Sequence, residues 1–293
     1  MDVVKIGKQP PPLRRPVLVA AFRGWNDAGE AASGAITTLT EALGATAFAS
    51  VDPEEFFDFQ ATRPTVRFDG ADGRRIEWPE NRFLWAPLPG AGRDVVMLHG
   101  TEPNLRWRAF TRGIADLAVH LGVERVLTLG ALQVDVPHTR PSPLTCNASD
   151  STLLARLGMR RSSYEGPTGV TGVLHQACVA AGLEAVSIWV GVPHYLAATP
   201  YLASALVLAQ RAVGLLGTQL SLDRLARDAD AQSDEIAELL RDDEDLADYV
   251  QELESRTDLD DVDVDVELPA TTVSGDELAA ELERYLRDRP SDG

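Results

Sequence analysis

Lysine is almost missing from this chain. Of its 27 basic residues only Lys5 and Lys8 are lysines, and both precede the first apolar run. A body without lysine has no Schiff-base amine and no P-loop lysine to hold a phosphate. Nucleotide ligases of the ATP-grasp type, which usually hold phosphates with lysines, are disfavoured for the same reason. Cysteine is equally scarce: Cys146 and Cys178 lie far apart and form no C-x-x-C pair. Neither a disulfide framework nor a zinc knuckle is expected, and both thiols read as packing residues. No apolar run approaches the roughly 18 residues that cross a bilayer. The stretch from Met1 to Pro12 lacks the apolar segment of a secretory leader, so a cytoplasmic location with no membrane partner is expected.

What is plentiful is acid, and it is unevenly spread. The net charge of −18 comes almost wholly from Asp228 to Gly293, where 24 acidic residues face five arginines. Before Asp228, 21 acids face 22 bases. The acidity therefore speaks to solubility and partner choice of the C-terminal part, and nucleic acid is not an expected partner. A composition that is 44% hydrophobic over 293 residues suffices for a core without staples.

Apolar runs alternate with helical patterns. Val17–Phe22 reads as a strand, Arg23–Asp27 as a loop and Ala28–Leu43 as a small-residue helix that Asn26 or Asp27 would cap. Further strands are read at Asp94–His99, Arg125–Leu132 and Ala185–Val190, and helices near Leu105–Leu121, Val173–Ala181 and Pro200–Leu216. This order implies parallel neighbours joined by helical crossovers. A β insertion is expected at about 51–89, with strands at Thr65–Phe68, Arg74–Trp78 and Arg82–Ala86. The division is then a core domain, 1–220, and an acidic helical C-terminal extension, 221–293. Ser221–Leu253 has helical spacing, and a last short helix opens at Ser274. Between them, Asp258–Glu267 alternates Asp with Val as a strand would, but its like charges argue for a solvated connector.

In an open parallel sheet, ligands sit beyond the carboxyl ends of the strands. That rule selects the loops Arg23–Asp27, Gly100–Asn104, Gln133–Arg140 and Gly191–Tyr195. Two of them share a wording, Val134-Asp-Val-Pro-His138 and Val190-Gly-Val-Pro-His194, and His99 ends a third strand. Asp135, His138 and His194 are thus candidate acid and base groups, since imidazole changes charge near neutral pH. Rim histidines that merely orient loops fit the same pattern. No E-x-x-H or H-x-H spacing points to a metal, and no cofactor is expected. Gly166-Pro-Thr-Gly-Val-Thr-Gly172 opens a helix, and its free amides suit an anion or a tight packing turn. Gly166, Thr168, Gly169, Thr171 and Gly172, with Gly24, Trp25, Asn26 and Asp27 of the first loop, are the candidate ligand-binding residues. Glu102, Arg106 and Arg108 form either an anion patch or ordinary ion pairs. No G-x-S-x-G elbow is present.

Four ordered motifs carry a resemblance. Gly24-Trp-Asn-Asp-Ala-Gly29, Gly100-Thr-Glu-Pro103 with Trp107 and Phe110, Leu129-Gly-Ala-Leu-Gln-Val-Asp-Val-Pro-His-Thr-Arg-Pro141 and Gly166–Gly172 together resemble the proteasome assembly chaperone 2 family, bacterial branch from GC-rich genomes. The resemblance covers about Val17 to Leu216. It implies an αβα sandwich similar to the purine nucleoside phosphorylase fold, with a central mixed, largely parallel sheet. It also implies a homo-oligomer, with a trimer as the expected stoichiometry, and a non-enzymatic assembly or interaction role in which the acidic extension engages protein partners. Family chaperones often carry a C-terminal hydrophobic and aromatic ending, whereas this chain reads Arg289-Pro-Ser-Asp-Gly293, which sets a direct proteasome role apart from the expectation. The alternative is a nucleoside- or phosphate-binding protein, or a phosphorylase or hydrolase, working at the strand-end rim.

Overall fold

The run Val17–Phe22 is buried on both sides, which requires a strand with a layer packed on each face. It is the middle of the molecule. In the computed structural model, which describes residues 3–70, 73–150, 152–154, 162 and 164–259, this strand is β2 (Val17–Arg23), flanked on both sides by parallel strands. One neighbour is β7 (Arg93–Thr101) and the other β8 (Arg125–Val134), which in turn pairs in parallel with β10 (Glu184–Pro193).

Antiparallel strands extend this block at both edges. β6 (Asn81–Leu88), β3 (Thr46–Val51) and β1 (Val4–Ile6) follow β7, and β9 (Leu144–Ala148) closes the other side on β10. The eight-stranded order is β1-β3-β6-β7-β2-β8-β10-β9. The sheet is mixed, as expected, with its parallel character confined to the four central strands. The expected β insertion divides: β4 (Thr65–Asp69) and β5 (Gly73–Glu77) form a separate hairpin, whereas β6 belongs to the main sheet.

Helices cover both faces. α1 (Ala31–Ala42) and α4 (Leu202–Leu216) pack with Val19, Met97, Leu129 and Ile188 on one side. On the other, α2 (Trp107–His120) and α3 (Val170–Ala180) pack with Leu18, Phe22, Leu98 and Val126. Alternate residues of the central strands feed the two cores, as a period of two demands. α1 starts later than its small-residue pattern suggests, because Gly29 and Glu30 take positive φ and break the first turn.

The acidic extension begins as two helices, α5 (Asp223–Asp242) and α6 (Glu244–Leu259), interrupted at Asp243. Leu225 and Ile236 join the α1/α4 core. Gln232 ties α5 to the body: its Oε1 accepts from Leu202 N at 2.8 Å and its Nε2 donates to Pro200 O at 2.7 Å. The segment to Leu259 is thus packed on the body. The expected connector, beyond its first two residues, and the last helix lie outside the described residues. Cys146 and Cys178 are buried, which pushes their thiols up to about 11 and about 12 and suits packing rather than nucleophilic chemistry.

Phe110 of α2 is wholly buried between Phe22 and Phe56, with ring centroids 5.9 and 5.4 Å away. Phe110→Ala is expected to lower stability by about 3–5 kcal/mol, read from the urea midpoint.

Candidate functional site

Glu102 follows β7 and stands where three of the four sequence motifs meet. Its Oε2 accepts from Trp25 N at 3.2 Å, and its Oε1 accepts from Val170 N, at the start of α3, at 2.7 Å. Its own amide donates to Arg23 O at 2.8 Å. Glycine is needed on both sides of it. Gly24 has φ +136°, and a side chain there would meet Glu102 Cβ at 2.8 Å. A methyl group at Gly169 would overlap the Asn26 amide and the Glu102 carboxylate. The amide at the head of α3, read from sequence as suiting either an anion or a tight packing turn, takes a carboxylate of the chain itself. Glu102 does not pair with Arg106, whose guanidinium meets Glu55 and lies over Phe56.

The fourth motif is joined through backbone. Ala131 N of β8 donates to Asn26 O at 2.8 Å, and Asp27 bridges Ala131. Asp27 is the helix cap: its Oδ1 accepts from Ala32 N at 2.8 Å and Ser33 N at 3.0 Å. Burial raises its carboxyl above the ordinary range, opposed by those hydrogen bonds. Asn26 and Asp27 are both buried, and Trp25 is exposed.

Beside this knot, between β9, β10 and α3, lies a cleft of about 380 Å³. Trp25 and Asn26 border it with Gly166, Thr168 and Gly172, so five of the nine candidate ligand-binding residues come together. Gly24, Asp27 and Gly169 support the loops from behind, and Thr171 is fully buried in the first turn of α3. Sequence reading missed the rest of the lining, chiefly Asn147, His175, Ser187 and Trp189. Among the described residues every side chain in the lining is formally uncharged with His175 neutral, and burial lowers the pKa of His175.

The rim candidates gather elsewhere. His138 N donates to Tyr195 Oη at 2.8 Å, and His138 Nδ1 lies 2.8 Å from the same oxygen. His194 Nε2 is 3.2 Å from Tyr249 Oη of α6, and its Nδ1 is 3.3 Å from Asp135 Oδ1 at an angle outside hydrogen bonding. The four rings of His138, His194, Tyr195 and Tyr249 meet edge to face at 5.5 to 6.0 Å. Thr139 Oγ1 donates to Glu254, and Val250 and Leu253 are buried. The acidic extension thus packs against one side of the histidine rim and leaves Asp135 exposed. His99 does not join it: it lines a separate groove with Arg23 and Arg82.

A mixed sheet between two helical layers, with its strand-end loops closed on one carboxylate and part of its rim covered by a C-terminal helix, makes this an αβα sandwich protein. The chain belongs to the PAC2 family, whose model matches residues 21–240. It is similar to the crystal structure of a PAC2 family protein from Streptomyces avermitilis, with 43% identity, 80% of this chain and 99% of that chain covered, and a TM-score of 0.74. It is also similar to a Mycobacterium tuberculosis proteasome-assembly chaperone homologue, with 40% identity, the same shares of 80% and 99%, and a TM-score of 0.73. An archaeal proteasome activator from Pyrococcus furiosus shares the fold at 16% identity and a TM-score of 0.65 over 82% of this chain and 99% of its own. No curated protein matches the chain. Among the described residues no helix is long and apolar enough to cross a membrane, and no group of three or more His, Cys, Asp or Glu side chains is placed to hold a metal ion.

Two outcomes follow from the geometry. Glu102→Ala leaves the Trp25 and Val170 amides without their acceptor and is expected to cost about 2–3 kcal/mol in urea unfolding, with Glu102→Gln costing less. His99 is held neutral: burial first, then Arg23 and Arg82, push its imidazole down to about 4. A folded pKa below the unfolded value of about 6.5 makes this contribution complete above that pH and lost as pH falls toward 4, by up to about 3 kcal/mol. The stability of His99→Gln is expected to fall less than that of the wild type between pH 6.5 and pH 4, read from denaturant midpoints.

Proposed function

We propose that this protein is a non-enzymatic assembly or interaction protein of the cytoplasm, working as a homo-oligomer and engaging protein partners through its acidic C-terminal extension. The observation that carries the reading is the 40% identity to a proteasome-assembly chaperone homologue across 80% of this chain. The histidine rim supports it. Asp135, His138 and His194 lie on the loops where acid and base groups would be sought, yet Asp135 makes no hydrogen bond to His194 and the imidazoles are engaged by Tyr195 and by Tyr249 of α6. Such a cluster serves to fasten the extension to the body.

The cleft beside Trp25 supports a second reading, as a binding site for a small uncharged molecule of nucleoside type. Two indoles and several neutral hydrogen-bonding side chains suit a flat polar ligand better than a phosphate.

Capture of partners from the native cell extract tests the first reading. Because α5 and α6 pack on the body, the appropriate truncation ends after Leu259. Full-length protein is expected to retain partners that the shortened chain loses, and His138→Ala with His194→Ala is expected to retain them. Equal capture by full-length and shortened chains would contradict the tail's role. For the second reading, saturable thermal stabilisation by a nucleoside, lost in Trp189→Ala, is the expected result.

A further inference from the structure

The sheet face that packs on α1 and α4 changes character toward the ends of β2 and β7. Ala21 and Met97 belong to that core, and the same alternation puts Arg23, His99 and Thr101 on the same face beyond them. In register with His99 stands Arg82 of β6, and beyond it Ser50 of β3. The β4–β5 hairpin pairs Arg67 with Arg75, directly opposite each other on one face. These two, with Arg63 from the loop before β4, share with Arg23, Arg82 and His99 the lining of a groove of about 780 Å³. Arg74 lies on the other face of the hairpin, over Phe68, and takes no part.

Five arginines therefore face two carboxylates in this lining, Glu77 and Glu80. The excess is local, since the first 227 residues hold 21 acids and 22 bases. Glu77 is shared between Arg67, 3.3 Å away, and Arg75, and Glu80 pairs with Arg82 at 2.9 Å. Arg23 reaches Glu30 only at 3.9 Å, and among the described residues Arg63 meets no carboxylate. Arg23, Arg67, Arg75 and Arg82 each keep more than half of the side chain exposed. Ion pairs so exposed hold weakly, so these guanidinium groups are available to other acceptors. The imidazole of His99 is pushed down to about 4 by burial first and then by Arg23 and Arg82, which agrees with a positive local field.

We propose that this groove is a docking site for an acidic peptide segment of a protein partner, whose successive Asp or Glu carboxylates are taken by Arg63, Arg67 and Arg75 on the hairpin side and by Arg23 and Arg82 on the sheet side. The planar fork of a guanidinium matches a carboxylate, and clusters of arginine are a recurring means of reading acidic motifs. The resident carboxylates favour a peptide over a compact polyanion. Glu77 and Glu80 divide the positive charge into separate stations, which carboxylates in series can occupy and which a single dense anion meets with repulsion. The proposal rests on the reading of this chain as an interaction protein, but not on the role given there to the acidic extension.

The test is the fluorescence anisotropy of a labelled octaglutamate peptide mixed with full-length protein at low salt. A net charge of −18 repels such a peptide, so saturable binding requires a local site. Binding is expected, weakened about tenfold by Arg67→Gln with Arg75→Gln and about tenfold by Arg23→Gln with Arg82→Gln. It is expected to vanish near 1 M salt, where the Debye length falls to about 3 Å. Glu77→Gln with Glu80→Gln is expected to tighten it about fivefold, a gain that a damaged fold does not produce. Absence of saturable binding to the wild type overturns the proposal, as does binding that none of these substitutions alters. Tighter binding of inorganic tripolyphosphate, lost in the same arginine variants, assigns the groove to phosphate and overturns the peptide assignment. Failure of the peptide while the extension still captures partners counts against the groove alone, and peptide binding without such capture counts against the extension's role alone.

Discussion

The strand-end region depends on one carboxylate. Glu102 joins the loop after β2 to the first turn of α3 by accepting from Trp25 and Val170. Two glycines, Gly24 and Gly169, make room for it. Charge-assisted bonds to backbone amides are stronger than neutral ones, and a helix N-terminus favours an anion. The four sequence motifs, scattered from Gly24 to Gly172, thus form a single knot at the carboxyl ends of the central strands. A side chain supplies there what a bound phosphate supplies in nucleotide-binding folds.

The consequence for function is a separation of places. The knot ties three loops together, the cleft lies beside it, and the histidine rim meets α6 at Tyr249, next to the buried Val250 and Leu253. An acidic extension that is partly packed and carries most of the net charge suits a protein whose business is with other proteins. Membership of the PAC2 family and likeness to a proteasome-assembly chaperone homologue point the same way.

Much of the fold was legible in the residue order. β2, β7, β8 and β10 announce themselves as apolar runs because each is buried on both faces, and Asp27 caps α1 as its position before a helical pattern implies. β1, β3 and β9 went unread for the opposite reason. They lie at or near the sheet margins, and Thr46–Val51 and Leu144–Ala148 are short and mixed in polarity. The candidate site was legible only in part. The repeated wording singles out Asp135, His138 and His194 as rim residues, but Tyr249, which meets His194 in the fold, lies 55 residues from it. Its only local signal is the sequence Tyr249-Val250 with Leu253 in an otherwise acidic helix. The role of Glu102 needed a partner 68 residues away, a pairing that no local pattern contains.

The most direct test of the central claim is an amide chemical-shift titration of the full-length protein with inorganic phosphate, following Trp25 and Val170. If Glu102 fills the head of α3, neither amide moves through millimolar phosphate, while Glu102→Gln shows weak saturable shifts at Val170. A saturable shift of Val170 in the wild-type protein would contradict the account and return that loop to the role of an anion site.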